Sequence, residues 1–313
     1  MWLKKVVGLF VLGVCFVSAT LLAFGQEQPK PTPTPEPLPK ADIANGKYGE
    51  YAANTFDLWR SNSKSPTPLV VYIHGGGLLR GDKNMLSANQ LKQLLEAGMT
   101  VMAINYRLTG EAVYPQHYMD CARAIQYARY HAKEFNIDPK RVAATGSSAG
   151  GMTSLWLAFH DDLADPKNAD PVLRESTRLN VVAIFSAQTT LVPEVVTKYV
   201  GPLATQYKTY YDGRVFGLTS DEMKTSKGSD LYRVISPLTY LTKDDPPVWA
   251  MYSIPNKPLT ETSTPSDAIH HPGFGVALKE AMDKLNIECK LRHKDDGQNV
   301  IGDMIQFLRK YLK

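Results

Sequence analysis

Ala143-Ala144-Thr145-Gly146-Ser147-Ser148-Ala149-Gly150-Gly151 decides the fold, because it sets Ser148 at the centre of a Gly-x-Ser-x-Gly pentapeptide. Upstream, the run Arg141-Val142-Ala143-Ala144 predicts a buried strand; downstream, Met152 to Ala158 predicts a helix. A strand turning sharply into a helix at a serine is a nucleophile elbow. The serine sits there in a strained turn, and only residues without a β-carbon let strand and helix pass that close. An ordinary glycine-rich strand-to-helix loop could show the same pentapeptide, so the rest of the chain has to support the reading.

Working outward, Leu69 to Ile73 is a continuous apolar run, the pattern of a strand covered on both faces, and it delivers His74-Gly75-Gly76-Gly77. Leu86 to Ala97 and Tyr118 to Phe135 read as amphipathic helices, with the strand Thr100 to Ile104 between them. Asp138-Pro139 reads as the turn into the serine strand, and Tyr48 to Trp59 as antiparallel edge strands. Beyond the serine, Val181 to Phe185, Pro247 to Ser253 and Ile287 to His293 read as strands, Phe274 to Leu285 and Ile301 to Leu312 as helices. This alternation predicts an α/β protein with a mostly parallel sheet and helices on both faces. Residues 191–240, rich in Tyr, Thr and Lys, break the alternation and read as a lid over the site.

Three glycines after a buried strand let backbone N–H groups turn toward one point, as an oxyanion hole requires. The amides of Gly76 and Gly77, with that of Ala149 just after the serine, are the expected donors. His74 is expected to brace this loop rather than to act as a base. A phosphate cradle or a merely flexible loop is the competing reading of the glycines.

His74-Gly75-Gly76-Gly77, Tyr106-Arg107, Tyr118-Met119-Asp120, Asp138 to Val142 and Gly146 to Gly151 together resemble the α/β-hydrolase fold. More narrowly they are similar to the hormone-sensitive-lipase-like and bacterial feruloyl-esterase-type carboxylesterases, over most of residues 66–313. The resemblance implies acyl-ester hydrolysis, with Ser148 attacking the carbonyl, a histidine taking its proton and an acidic residue orienting that histidine. It also implies where those partners belong, and there the chain departs from the pattern. The loop expected to carry the acid reads Ile254-Pro255-Asn256-Lys257-Pro258, with Asn256 in the aspartate's place. The segment expected to carry the base reads Lys294-Asp295-Asp296-Gly297-Gln298-Asn299, with Asn299 at the histidine's usual position.

Ser266-Asp267-Ala268-Ile269-His270-His271-Pro272-Gly273, between a strand and its following helix, should lie at the carboxyl edge of the sheet. It offers a displaced base, taken as His271 with Asp267 or another carboxylate as its partner. His270 and His271 could instead cap a helix, bind a surface partner or hold a metal, though no third ligand stands at suggestive spacing. His293 is expected to be packed within its strand, and Asp295-Asp296 to be a solvated turn.

Composition agrees with one α/β domain: 313 residues, 43% hydrophobic and 21% charged. The net charge of +4 includes Lys4 and Lys5 of the leader, so +2 remains without it, too little to suggest nucleic acid or a membrane surface as partner. Residues 1–25 read as a signal peptide cleaved before Gln26, with an uncleaved anchor as the alternative. Membrane contact is expected only if the leader is kept. Residues 26–45, with proline at every second position from Pro29 to Pro39, read as an extended linker, and residues 46–313 as the α/β-hydrolase domain. Beyond the leader only Cys121 and Cys289 remain, expected as two buried free thiols. The resulting expectation is a secreted or periplasmic serine carboxylesterase acting on a small-molecule or carbohydrate ester, without metal or cofactor. The alternative, raised by Asn256 and Asn299, is a catalytically impaired hydrolase fold that binds a ligand or partner.

Overall fold

The computed structural model describes residues 36–206, 213–297 and 299–313. The expected signal peptide and half of the expected linker lie outside them. The strands are β1 (Ile43–Lys47), β2 (Thr55–Trp59), β3 (Thr67–Ile73), β4 (Thr100–Ile104), β5 (Ile137–Ser147), β6 (Val181–Phe185), β7 (Val248–Tyr252) and β8 (Cys289–His293). The helices are α1 (Ala88–Glu96), α2 (Gln116–Tyr130), α3 (Ala132–Phe135), α4 (Ala149–Phe159), α5 (Pro193–Tyr199), α6 (Gly213–Phe216), α7 (Ser226–Ile235), α8 (Pro265–Ile269), α9 (Gly273–Lys284) and α10 (Val300–Tyr311). β1 begins inside the stretch read as linker, where it pairs with β2.

The eight strands form one sheet in the order β1-β2-β4-β3-β5-β6-β7-β8. The β1–β2 and β2–β4 pairs are antiparallel and all later pairs are parallel. This is the α/β-hydrolase arrangement that the resemblance implies. The unbroken apolar runs are explained by burial on two sides: Leu69, Val71 and Ile73 enter one core cluster, and Val70 and Tyr72 enter the other. Parallel register sets Ile73 beside Gly146, Ser147 beside Phe185, and Phe185 beside Met251. The loops leaving β3, β5, β6 and β7 therefore open along one edge, where open parallel sheets place their sites.

Two expected boundaries shift for local reasons. Asp138-Pro139 lies inside β5 as a bulge rather than a turn, since Thr67 pairs with Ile137 and Leu69 next pairs with Val142. The Asp138 carboxylate holds it, accepting from the Lys140 amide at 2.9 Å and from Arg141 Nε at 2.8 Å. The helix expected over residues 118–135 breaks at His131 and ends at Asn136, whose left-handed φ of 56° stops it. Cys121 on α2 and Cys289 on β8 are both buried and unbridged. Burial pushes both thiols up, Cys289 to about 12, which keeps them protonated and inert as nucleophiles.

Of the residues 191–240 expected to form a lid, none of those described lines the cleft beside Ser148. The described ones around Val234 pack against the body of the fold. The Val234 carbonyl accepts from Tyr114 Oη at 2.8 Å, Tyr240 Oη at 2.9 Å and Trp156 Nε1 at 3.1 Å, which ties α7 to α4. Among the described residues of this segment, Phe216 and Tyr232 meet edge to face.

Candidate active site

Ser148 has φ 51° and ψ −123°, an unfavourable conformation for a residue with a side chain, fixed by the strand on one side and the fully buried helix α4 on the other. Its amide donates to the Phe185 carbonyl at 2.9 Å. A β-carbon at Gly150 would lie 2.0 Å from the Ile73 carbonyl oxygen, and one at Gly146 would lie 2.4 Å from it. These glycines are thus demanded by the close approach of the elbow to the end of β3.

The loop after β3 is braced as expected. The His74 ring stacks on Tyr106 at 4.3 Å between centroids, its Nδ1 donates to the Gly75 carbonyl at 2.8 Å, and Tyr106 Oη donates to the His74 carbonyl at 2.9 Å. Burial lowers the pKa of His74, so its ring is neutral and structural. Gly76 and Gly77 have φ of 106° and 67° and line the cleft. Among the described residues their amides donate to no protein acceptor. Ala149 opens α4, so its amide is one of the unpaired N–H groups at a helix start.

The imidazole that meets Ser148 belongs to His270. Its Nε2 lies 2.9 Å from Ser148 Oγ, within the reach a general base needs. Its Nδ1 faces Ser266 Oγ at 3.2 Å. Burial lowers the pKa of His270, offset in part by the Ser266 carbonyl and by the charge of Asp267.

His271, the base expected from sequence, points elsewhere. Its Nδ1 accepts from the Gly273 amide at 2.9 Å and its Nε2 donates to the Lys257 carbonyl at 2.8 Å, so neither nitrogen is free. The expected Asp267 partner is also spent. Its carboxylate accepts from the amide and hydroxyl of Thr264, both at 2.8 Å, closing a capping box at the start of α8. The reason is helical phase: with α8 starting at Pro265, Ser266 and His270 lie four residues apart on one face. The pair Asp267 and His271 keeps the same spacing in sequence, but His271 lies past the C-cap of α8 at His270, where the chain turns into α9. The signal was in the sequence, since Thr264-Pro265-Ser266-Asp267 carries a cap residue, a proline at the first helical position and an acid three residues after the cap.

The positions implied by the resemblance hold no substitute base or acid. Asn256 is exposed. Asn299 caps α10, its side chain accepting from the Gly302 amide at 3.1 Å. His293 closes β8, packed as expected, before a short turn that ends at Gly297.

The cleft beside Ser148 and His270 has a volume of about 690 Å³. Met85, Phe185, Met251, Ile254 and Ile269 give it an apolar wall, and Ser186, Gln188 and Ser253 give it neutral polar groups.

In sequence the chain is 33% identical to a probable carboxylic ester hydrolase, LipM, of Mycobacterium tuberculosis over 147 residues, 46% of this chain and 33% of that protein. It is 33% identical to an acetyl esterase of Salmonella schwarzengrund over 106 residues, 31% of this chain and 32% of that one. The matched parts thus span about a third of the length of these curated relatives. In structure it is similar to a truncated carbohydrate esterase from gut microbiota, with a TM-score of 0.68 at 19% identity over 88% of this chain and 99% of that one; that likeness speaks for the fold. The sequence profile of the BD-FAE family matches residues 57–253, more than half of the chain and the whole span from β2 through the serine elbow to the end of β7, and the chain belongs to that family.

Proposed function

We propose that the chain is an exported serine carboxylesterase that hydrolyses small or carbohydrate-linked acyl esters through an acyl-enzyme on Ser148. The observation that carries this reading is the 2.9 Å approach of His270 Nε2 to Ser148 Oγ on a strained elbow. The leader supports export, and the acetyl esterase and carbohydrate esterase among its relatives support the substrate class.

In this mechanism neutral His270 accepts the Ser148 proton at Nε2 as Oγ attacks the ester carbonyl. Nδ1–H donates to Ser266, which holds the ring in the tautomer that leaves Nε2 free. The tetrahedral oxyanion is taken by the amides of Gly76, Gly77 and Ala149, and losing one such donor costs roughly 2.7–4 kcal/mol of transition-state stabilisation. His270 returns the proton to the leaving alcohol. It then deprotonates a water that attacks the acyl-enzyme, releasing the acid and restoring Ser148. A hydroxyl in the carboxylate's usual place holds the tautomer while giving the imidazolium less stabilisation. The impaired-binder reading rested on Asn256 and Asn299 in the places of acid and base; the approach of His270 to Ser148 speaks for a base, and the Ser266 hydroxyl stands where an acid would.

The test is a fluorophosphonate probe and 4-nitrophenyl acetate. Wild-type protein is expected to be labelled and to turn over the ester, and Ser148→Ala to lose labelling and at least roughly 10³-fold in turnover. Absence of labelling, or labelling that survives Ser148→Ala, would refute the proposal.

A further inference from the structure

We infer that Arg80 recognises an anionic group on the ester, so that the cleft selects substrates carrying a carboxylate or similar charge near the scissile bond. This inference rests on the esterase reading of the same site and assigns it a substrate property.

Among the described residues Arg80 is the only lysine or arginine lining the cleft, and no aspartate or glutamate lines it. Its position is built rather than incidental. The Gly76 carbonyl accepts from both the Leu79 and the Arg80 amides at 3.2 Å, which folds the chain back on itself. A β-carbon at Gly76 would lie 2.0 Å from the Arg80 carbonyl oxygen and 3.2 Å from Arg80 Cγ. The aliphatic stem of Arg80 therefore lies over the same glycine whose amide is assigned to the oxyanion. On the other side, Gly81 at φ 126° sits against the braced His74 ring, where a β-carbon would lie 2.3 Å from Nδ1.

The neighbouring ionised groups lie outside the cleft lining, and Asp82 among them stays an anion. Lys83 pairs with Asp57 at 3.2 Å, Arg107 with Asp120 at 2.6 Å, and the Asp82 carboxylate accepts from the Asn84 amide and Asn105 Nδ2. Among the described residues the Arg80 guanidinium pairs with no carboxylate and makes no side-chain hydrogen bond. Arg80 is exposed, and as a planar five-donor cation on the lining of a cleft otherwise bordered by apolar side chains and neutral hydroxyls it gives that cleft a positive field. An acyl group or an alcohol bearing a carboxylate would meet it while the carbonyl sits on Gly76.

Two matched pairs of esters separate the possible positions of the charge. 4-Nitrophenyl hemisuccinate against 4-nitrophenyl butyrate puts it on the acyl side, and 4-acetoxybenzoate against 4-acetoxybenzamide puts it on the alcohol side. In one of the pairs, wild-type protein is expected to prefer the charged ester. Arg80→Gln is expected to lower that preference in kcat/KM by roughly tenfold or more, through KM, and Arg80→Lys to keep most of it. Equal charged-to-neutral ratios in wild type and Arg80→Gln for both pairs would overturn the inference. If no ester is turned over, the esterase reading fails by itself, and binding decides the inference. Calorimetry on Ser148→Ala protein should show tighter binding of the charged ester, lost in Ser148→Ala/Arg80→Gln; equal binding in both proteins would refute it.

Discussion

A histidine can act as a base only with a nitrogen free to accept a proton, and the adjacent His270 and His271 differ on this point. His271 spends Nδ1 on the Gly273 amide and Nε2 on the Lys257 carbonyl, so it anchors the start of α9 to the loop after β7. His270 keeps Nε2 for Ser148. Its burial favours the neutral ring, so the base is competent at neutral pH and is lost as protonation sets in on acidification. The acid limb of kcat/KM against pH for 4-nitrophenyl acetate is therefore expected below the ordinary imidazole value of about 6.5. Ser266→Asp should move that limb upward, because a carboxylate beside Nδ1 stabilises the imidazolium. An acid limb at or above the ordinary value that Ser266→Asp leaves in place would rule out His270 as the titrating base.

At the scale of elements, a helix of five residues decides which histidine reaches the serine. The cap of α8 sets its first residue, and the first residue sets the phase of Ser266 and His270. Thr264→Ala removes the cap acceptor and should cost about 1 kcal/mol of stability. Because the cap fixes the direction of an imidazole that acts only during proton transfer, we expect kcat to fall severalfold with KM little changed. Steady-state kinetics beside a urea titration would check this, and a loss confined to KM would contradict it. The long elements were legible in the sequence because burial on both faces writes unbroken apolar runs such as Leu69 to Ile73, and because Gly146 and Gly150 answer a close approach that nothing else permits. His270 was less legible. Ser266/His270 and Asp267/His271 share the same spacing, carboxylates are the usual partners of catalytic histidines, and only the cap at Thr264 separates the two phases.

At the scale of the molecule, parallel register gathers the loops after β3, β5, β6 and β7 at one edge, so residues far apart in sequence meet there. The composition of residues 191–240 suggested a lid, yet among the described ones Phe216 packs on Tyr232, and the Val234 carbonyl gathers donors from Tyr114, Trp156 and Tyr240. Hydrophobic and aromatic composition is the same for a segment that covers a cleft and one that buttresses a helix, so sequence could not distinguish them. The residues assigned to catalysis, from Gly76 to His270, are complete before β8 begins.

On the proposed assignment of His270 as base, the turn after β8 has no catalytic part. Gly297 is exposed at φ 111°, and Asn299 beyond it caps α10. A hydrolase that keeps its base after the last strand cannot tolerate an interruption there, whereas this chain offers the same spot as a graft site. Insertion of a short Gly-Ser peptide after Gly297 is expected to leave 4-nitrophenyl acetate turnover within about twofold of the parent, as exposed turns accept added residues. Loss of turnover in a folded insertion variant would show that the turn takes part in the chemistry after all. The displaced histidine thus leaves a position at which a second domain or a reporter could be spliced without crossing the reaction path.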